Sequence, residues 1–136
     1  MITRIAHVCI NARDLNRSIA FYEKILRLKR KFNFLRGELL IGAYFEICMG
    51  NYIEIFENRD AEIVNTGLVH LCLETDDTDE LIRWLDKNNI QHTDKKSGCD
   101  NSFQIWINDP DGNKIEIHEY TPASAQLTGK DCQVTW

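Results

Sequence analysis

The chain repeats itself, and that repetition constrains its fold more than any other feature. The run Ile5-Ala6-His7-Val8-Cys9-Ile10, with Asp14 beyond it, aligns with Leu68-Val69-His70-Leu71-Cys72-Leu73, with Asp77 beyond it, at a constant offset of 63 residues. Farther on, Ile53-Glu54-Ile55-Phe56-Glu57 aligns with Ile115-Glu116-Ile117-His118-Glu119 at an offset of 62, the difference of one being a loop deletion. Spacing kept across almost half of 136 residues points to tandem duplication. Each half carries one histidine near its start and one glutamate near its end.

Within each half the pattern reads as strand, helix and three strands, an α+β arrangement. In the first half a strand is expected over 3–11, followed by a helix capped by Asp14 and running to about Leu28, with Leu15, Ile19, Tyr22 and Leu26 at helical spacing. Strands over 30–36, 41–48 and 51–57 follow, the last two joined at Met49-Gly50-Asn51. The second half repeats the plan with a strand over 67–75, a helix from about Asp77 to Asn88, and strands over 90–95, 102–108 and 113–120. In Asp109-Pro110-Asp111-Gly112, proline presets one turn angle and glycine supplies a positive φ. Thr121 to Trp136 is polar and aperiodic, a tail expected to hug the surface. No linker rich in Pro, Gly or Ser divides the halves, so module 1 (about 1–60), module 2 (about 65–120) and the tail 121–136 are expected to form a single domain, 1–136.

Strand alternation puts His7 and Cys9 on one face, Tyr52, Glu54 and Phe56 on one face, and likewise His70 with Cys72, and Lys114 with Glu116 and His118. If the modules pair about a pseudo-twofold axis, two imidazoles and two carboxylates converge. A glutamate flanked by isoleucines is costly to bury without a compensating positive charge, which a metal ion would supply. A lone strand histidine is more often a hydrogen-bonded core residue than a ligand, but the duplicate of His7 at His70 reverses that judgement. Mixed nitrogen and oxygen donors suit Zn²⁺, Ni²⁺, Co²⁺, Mn²⁺ or Fe²⁺ better than Ca²⁺ or Mg²⁺. The expected metal ligands are therefore His7, Glu54, His70 and Glu116. Cys9 and Cys72 are expected as small buried groups beside the histidines, Glu57 and Glu119 as solvated, and Trp84, Trp106 and Trp136 as packing residues.

Composition excludes other classes. A net charge of -5 lacks the basic footprint of a nucleic-acid binder. The cluster Arg27 to Lys31 with Arg36 reads as a solvated helix end and strand. No stretch approaches the ~20 apolar residues of a membrane span, and Met1-Ile2-Thr3-Arg4-Ile5 lacks a signal-peptide layout, so a cytoplasmic setting is expected. Five cysteines without close pairing are expected to be reduced thiols.

The chain resembles the vicinal oxygen chelate superfamily (glyoxalase, bleomycin resistance, dioxygenase), and within it the bacterial glyoxalase I, or lactoylglutathione lyase, branch. The resemblance runs to about Tyr120. Its markers are Ile5-Ala6-His7, the helix Asp14-Leu15-Asn16-Arg17-Ser18-Ile19-Ala20-Phe21-Tyr22, the second histidine in Gly67-Leu68-Val69-His70, and Asp109-Pro110-Asp111-Gly112-Asn113-Lys114-Ile115-Glu116. It implies two βαβββ modules forming a cupped mixed sheet around one divalent metal ion. The glyoxalase I ligand pattern of histidine or glutamine, glutamate, histidine, glutamate falls on His7, Glu54, His70 and Glu116. The implied activity is that of a lyase or isomerase moving a proton through a metal-bound enediolate of a 2-oxoaldehyde thiol adduct, with Glu116 as base and Glu54 as its symmetry mate. Glutathione or another thiol is the implied co-substrate.

Asn58 matches a glutathione contact, and Asn11 stands where that branch usually has arginine. With Phe56 and His118 they form the expected substrate-binding set, and Lys95 and Lys96 are candidates for gripping a glycyl carboxylate. A homodimer is the implied assembly.

Related proteins offer alternatives. Acyl-CoA or sugar-type epimerases resemble this pattern with glutamine at the Glu54 position, and extradiol dioxygenases use two histidines and one glutamate around iron. Fosfomycin-modifying thiol transferases prefer two histidines and one glutamate with a potassium-binding loop that is not evident here. Drug-binding proteins of the bleomycin-resistance type share the fold but generally lack the ligands.

Overall fold

The computed structural model of the chain describes residues 5–60 and 69–132. The expected strand starts at 3–4 and 67–68 and the packing of Trp136 lie outside the described residues. The chain divides into two compact units, Met1–Val64 and Asn65–Trp136.

The first unit runs β1 (His7–Ala12), α1 (Leu15–Ala20), a π-helical turn (Phe21–Ile25), β2 (Lys29–Arg36), β3 (Leu39–Cys48) and β4 (Asn51–Glu57). Its sheet has the order β1-β4-β3-β2, with β1 parallel to β4 and the other pairs antiparallel. Asp14 caps α1 by accepting a hydrogen bond from the Arg17 amide at 3.0 Å. The expected helix to Leu28 is shorter as regular α-helix and widens at Phe21. Within the widened turn Phe21 and Tyr22 are both buried and meet edge-on at 5.3 Å, and the Leu26 amide donates to the Phe21 carbonyl five residues back. Tyr22, Ala43, Phe45, Ile53 and Ile55 are fully enclosed, and each large apolar side chain among them contributes roughly 1.5–3 kcal/mol. Alternation along β4 then leaves Tyr52, Glu54 and Phe56 on the opposite face.

The second unit contains β5 (Leu71–Glu74), α2 (Thr78–Lys87), β6 (Lys96–Ser97), β7 (Phe103–Asn108), β8 (Lys114–Glu119) and a short α3 (Ala125–Thr128). Its sheet order, β5-β8-β7-β6, repeats the first sheet strand for strand. Asp77 caps α2 through the Glu80 amide at 2.8 Å, the counterpart of Asp14. Leu85, Ile105, Ile107, Ile115 and Ile117 form its buried face. The two βαβββ modules make this a mixed α+β fold with two four-stranded sheets.

The tight turn between β7 and β8 forms as the sequence demands. The Gly112 amide donates to the Asp109 carbonyl at 3.0 Å, and Gly112 has φ +88°. Asp109 Oδ1 accepts from the Asp111 and Asn113 amides, each at 2.9 Å, and this fixes the register that sets Glu116 opposite Trp106. The strand expected over 90–95 is reduced to a single bridge, His92 with Ile107, and β6 begins only at Lys96. Thr93 explains the loss, because its hydroxyl accepts the Trp106 amide hydrogen bond at 3.0 Å that a continuous ladder would give to a backbone carbonyl.

Candidate metal centre

Each module builds one imidazole–carboxylate pair on the sheet face opposite its core. In the first, β1 and β4 run parallel with Cys9 level with Glu54, and His7 Nε2 stands 3.5 Å from Glu54 Oε1. In the second, Cys72 is level with Glu116, and His70 Nε2 stands 3.1 Å from Glu116 Oε2. Glutamate reaches the face because Ile53 and Ile55, and Ile115 and Ile117, take the core side of the same strands.

An aromatic side chain braces each histidine. Tyr44, the strand partner of Glu54, lies edge-on to His7 at 5.9 Å, with its hydroxyl 3.4 Å from Nδ1. Trp106, the strand partner of Glu116, lies edge-on to His70 at 4.9 Å. Sequence reasoning assigned Trp106 only to packing and overlooked Tyr44. The 62-residue offset pairs these two aromatics and would have found them.

Glu116 is 8% exposed and has a second imidazole beside it. His118 Nε2 lies 3.1 Å from Oε1, but off hydrogen-bonding geometry, and is a buried nitrogen without a hydrogen-bond partner. The ring's other nitrogen faces Ser102 Oγ at 3.4 Å and Asp100 Oδ2 at 3.9 Å. Burial alone would raise the Asp100 carboxyl, but hydrogen bonds from the Gln126 side chain and from the Ser102 hydroxyl and amide, with the nearby His118, bring it down to about 2.

Cys9 and Cys72 are exposed free thiols, not the small buried groups expected from the sequence. The sheet face they occupy is opposite the packed core, which is why burial did not follow from their apolar flanks. Partial desolvation, then the hydrogen bond and charge of Glu54, push the Cys9 thiol up to about 11. Partial desolvation, then the charge and hydrogen bond of Glu116, push Cys72 up to about 12. Both carboxylates thus leave their surroundings in want of positive charge. Cys72, Glu116 and His118 have donor atoms all within 4.8 Å of one another. A buried carboxylate, an orphaned imidazole nitrogen and N, O and S donors together fit a borderline divalent ion of the zinc, cobalt or nickel kind.

Other expected residues fall as follows. Asn11 and Asn58 are exposed, the Asn58 amide donating to the Ala12 carbonyl at 2.8 Å. Phe56 packs on Phe34 with centroids 4.5 Å apart, and Tyr52 on Tyr44 at 5.1 Å. Lys95 is not available as a carboxylate grip: its ammonium binds Asp79 at 3.0 Å and Glu119 at 3.5 Å and sits over the Phe103 ring. Nor is Glu119 simply solvated, since its carboxylate accepts the Thr78 amide at 2.9 Å, tying β8 to the start of α2. Glu57 pairs with the exposed Arg59 at 3.3 Å. In the basic cluster, Arg30 pairs with Glu23 at 2.8 Å and Lys31 with Glu46 at 3.1 Å. No helix among the described residues is long and apolar enough to cross a membrane.

Comparisons with known proteins agree with this architecture. The metallothiol transferase FosB of Staphylococcus epidermidis is 31% identical over 138 aligned positions, covering 88% of this chain and 84% of its own. The uncharacterized protein YwbC of Bacillus subtilis is 31% identical, covering 88% of this chain and 99% of its own. Among solved structures, lactoylglutathione lyase from Agrobacterium tumefaciens superposes with a TM-score of 0.68 at 24% identity, covering 87% of this chain and 94% of that one, a likeness of fold alone. The model of the Glyoxalase/Bleomycin resistance protein/Dioxygenase superfamily matches residues 4–117, and the chain belongs to that superfamily.

Proposed function

We propose that this protein is a divalent-metal-dependent lyase or isomerase of glyoxalase I type, in which His7, Glu54, His70 and Glu116 serve one metal centre. The observation that carries the reading is the doubled pair: His7 Nε2 3.5 Å from Glu54 and His70 Nε2 3.1 Å from Glu116, each carboxylate on a strand face turned away from the core. The ion, nickel, zinc, cobalt, manganese or iron, would supply Lewis acidity toward the substrate's oxygen atoms and so acidify the neighbouring C–H bond.

The chain's own residues do the rest. Glu116 accepts the proton from carbon and returns it to the adjacent carbon, and its near-complete burial keeps the carboxylate from being levelled by water. His118 Nε2 stands 3.1 Å from Glu116 Oε1, beside the carboxylate that takes the proton. Glu54 is the matching acceptor of the first module. Tyr44 and Trp106 fix the histidine rings. Phe56, with Phe34 behind it, offers apolar surface, and Asn11 and Asn58 offer polar recognition of a thiol adduct such as that of glutathione. We take the working form to be a cytoplasmic homodimer acting on a small molecule.

The similarity to metallothiol transferase FosB favours a second reading, in which a thiol is transferred to an electrophile such as fosfomycin. The fourth donor, Glu54, distinguishes the two, because a second carboxylate serves proton transfer and is not needed for thiol transfer. Metal-loaded protein is assayed with methylglyoxal hemithioacetals of several thiols and, separately, with fosfomycin and the same thiols. Isomerisation lost in Glu54→Gln supports the first reading. Thiol transfer without isomerisation rejects it in favour of the second.

A further inference from the structure

We propose that Cys72, Glu116 and His118 form a thiolate-containing metal site lying wholly within the second module, taking a thiophilic divalent ion such as Zn²⁺ or Co²⁺. The inference deepens the metal-centre reading, since it rests on Glu116 as a metal donor.

Three observations converge on it. The donor atoms of the trio lie within 4.8 Å of one another. Tetrahedral donors at zinc-like bond lengths lie roughly 3.3–3.7 Å apart, so the set closes on an ion with side-chain movements on the order of an ångström. The two oxygens of Glu116 are divided, Oε2 facing His70 and Oε1 facing His118, each at 3.1 Å, so one oxygen serves His118 while the other keeps its place beside His70.

The second observation is the orientation of His118. Ser102 Oγ donates its proton to Asp100 Oδ1 at 2.7 Å, so toward His118 Nδ1 it can only accept, at 3.4 Å. Nδ1 is thus turned toward Ser102 and Asp100, which leaves Nε2 on the side of Glu116. Nε2 is buried, without a hydrogen-bond partner, and 3.1 Å from Glu116 Oε1, so a buried donor atom is left to be satisfied in the gap it shares with Glu116 and Cys72. A carboxylate behind the far nitrogen of an imidazole is the usual support of a metal-bound histidine, and here Asp100 provides it. Asp100 is in turn held by Gln126 at 2.6 Å, and its carbonyl accepts the Ala125 amide at 2.8 Å, so the C-terminal segment anchors the site from outside the repeat.

The third observation is asymmetry. The first module repeats the cysteine and glutamate at Cys9 and Glu54, but Phe56 stands at the position of His118. Only the second module therefore has a complete trio, and its thiol is exposed, which gives an ion a path of entry.

Cobalt(II) titrated into the metal-free full-length protein tests this, read by sulfur-to-cobalt charge-transfer absorption and by elemental analysis. The expected result is a charge-transfer band that disappears in Cys72→Ser, persists in Cys9→Ser and in His7→Ala, and needs at least about tenfold more cobalt in His118→Ala. Far-ultraviolet circular dichroism shows that each variant folds. A band absent from the folded wild type, or unchanged in Cys72→Ser, overturns the site, as does His118→Ala binding with undiminished affinity. Cobalt bound without a band, and lost in His7→Ala, rejects the trio but keeps the shared centre. A band together with binding indifferent to His7→Ala keeps the trio and rejects the shared centre.

Discussion

Trp106 meets the ring of His70 edge-on, with centroids 4.9 Å apart, from the strand position directly opposite Glu116. The indole limits rotation of an imidazole whose side chain is otherwise 35% exposed, and so holds Nε2 toward the carboxylate. Trp106→Ala is expected to weaken metal affinity roughly 10–100-fold, the usual cost of losing a residue that orients a ligand. Trp106→Phe, which keeps an aromatic edge, is expected to recover most of it. Equilibrium competition with a metal indicator checks both variants.

Glu116→Gln is expected to lower turnover by at least about 10²-fold with the fold intact, because amide nitrogen and oxygen cannot accept the proton from carbon. Rates are compared at saturating metal, with bound metal measured in the same samples. An undiminished rate removes Glu116 from the role of base.

The repeat made much of this legible in advance. Both capping aspartates, both glutamate strands and the two histidines at the mouths of β1 and β5 follow from their offsets, since strand period and helix capping are local physics that duplication copies faithfully. What escaped the sequence is side-chain competition across elements. The Thr93 hydroxyl consumes a ladder hydrogen bond and erases most of an expected strand. Lys95, a candidate carboxylate grip by the family resemblance, is drawn to Asp79 and Glu119, which are distant in sequence. His118 is read from the sequence as a substrate-binding residue, because nothing local reveals that Ser102 and Asp100 orient its ring. The tail looked aperiodic, yet Ser124, Ala125 and Gln126 bind the loop around Asp100 and Asn101.

Stability at low pH follows from Asp100. Its carboxyl is brought from 3.8 down to about 2 in the folded chain, so the unfolded state binds the proton more readily. The stabilisation is present above pH ~4 and is lost as pH falls from ~4 through ~2, amounting to about 2 kcal/mol. Asp100→Asn is expected to flatten that part of the urea-unfolding free energy against pH. A slope equal to that of the wild type excludes Asp100 as its source.

Gly42 is required by close approach. A Cβ there would stand 2.7 Å from the Ile55 carbonyl oxygen and 2.7 Å from Phe56 Cδ1. Backbone cannot yield, so Gly42→Ala is expected to cost about 1–3 kcal/mol and to displace the Phe56 ring. Thermal unfolding measures the first effect, and the nuclear magnetic resonance shifts of Phe56 measure the second.

The most direct measurement is calorimetric titration of metal-free protein with Zn²⁺, made in parallel on the wild type, His7→Ala, Glu54→Ala and His70→Ala. The account predicts that each variant, drawn from either module, loses at least about tenfold in affinity for the tightest-bound ion. Variants of the first module that bind as tightly as the wild type would contradict the claim that both histidine–glutamate pairs serve one metal.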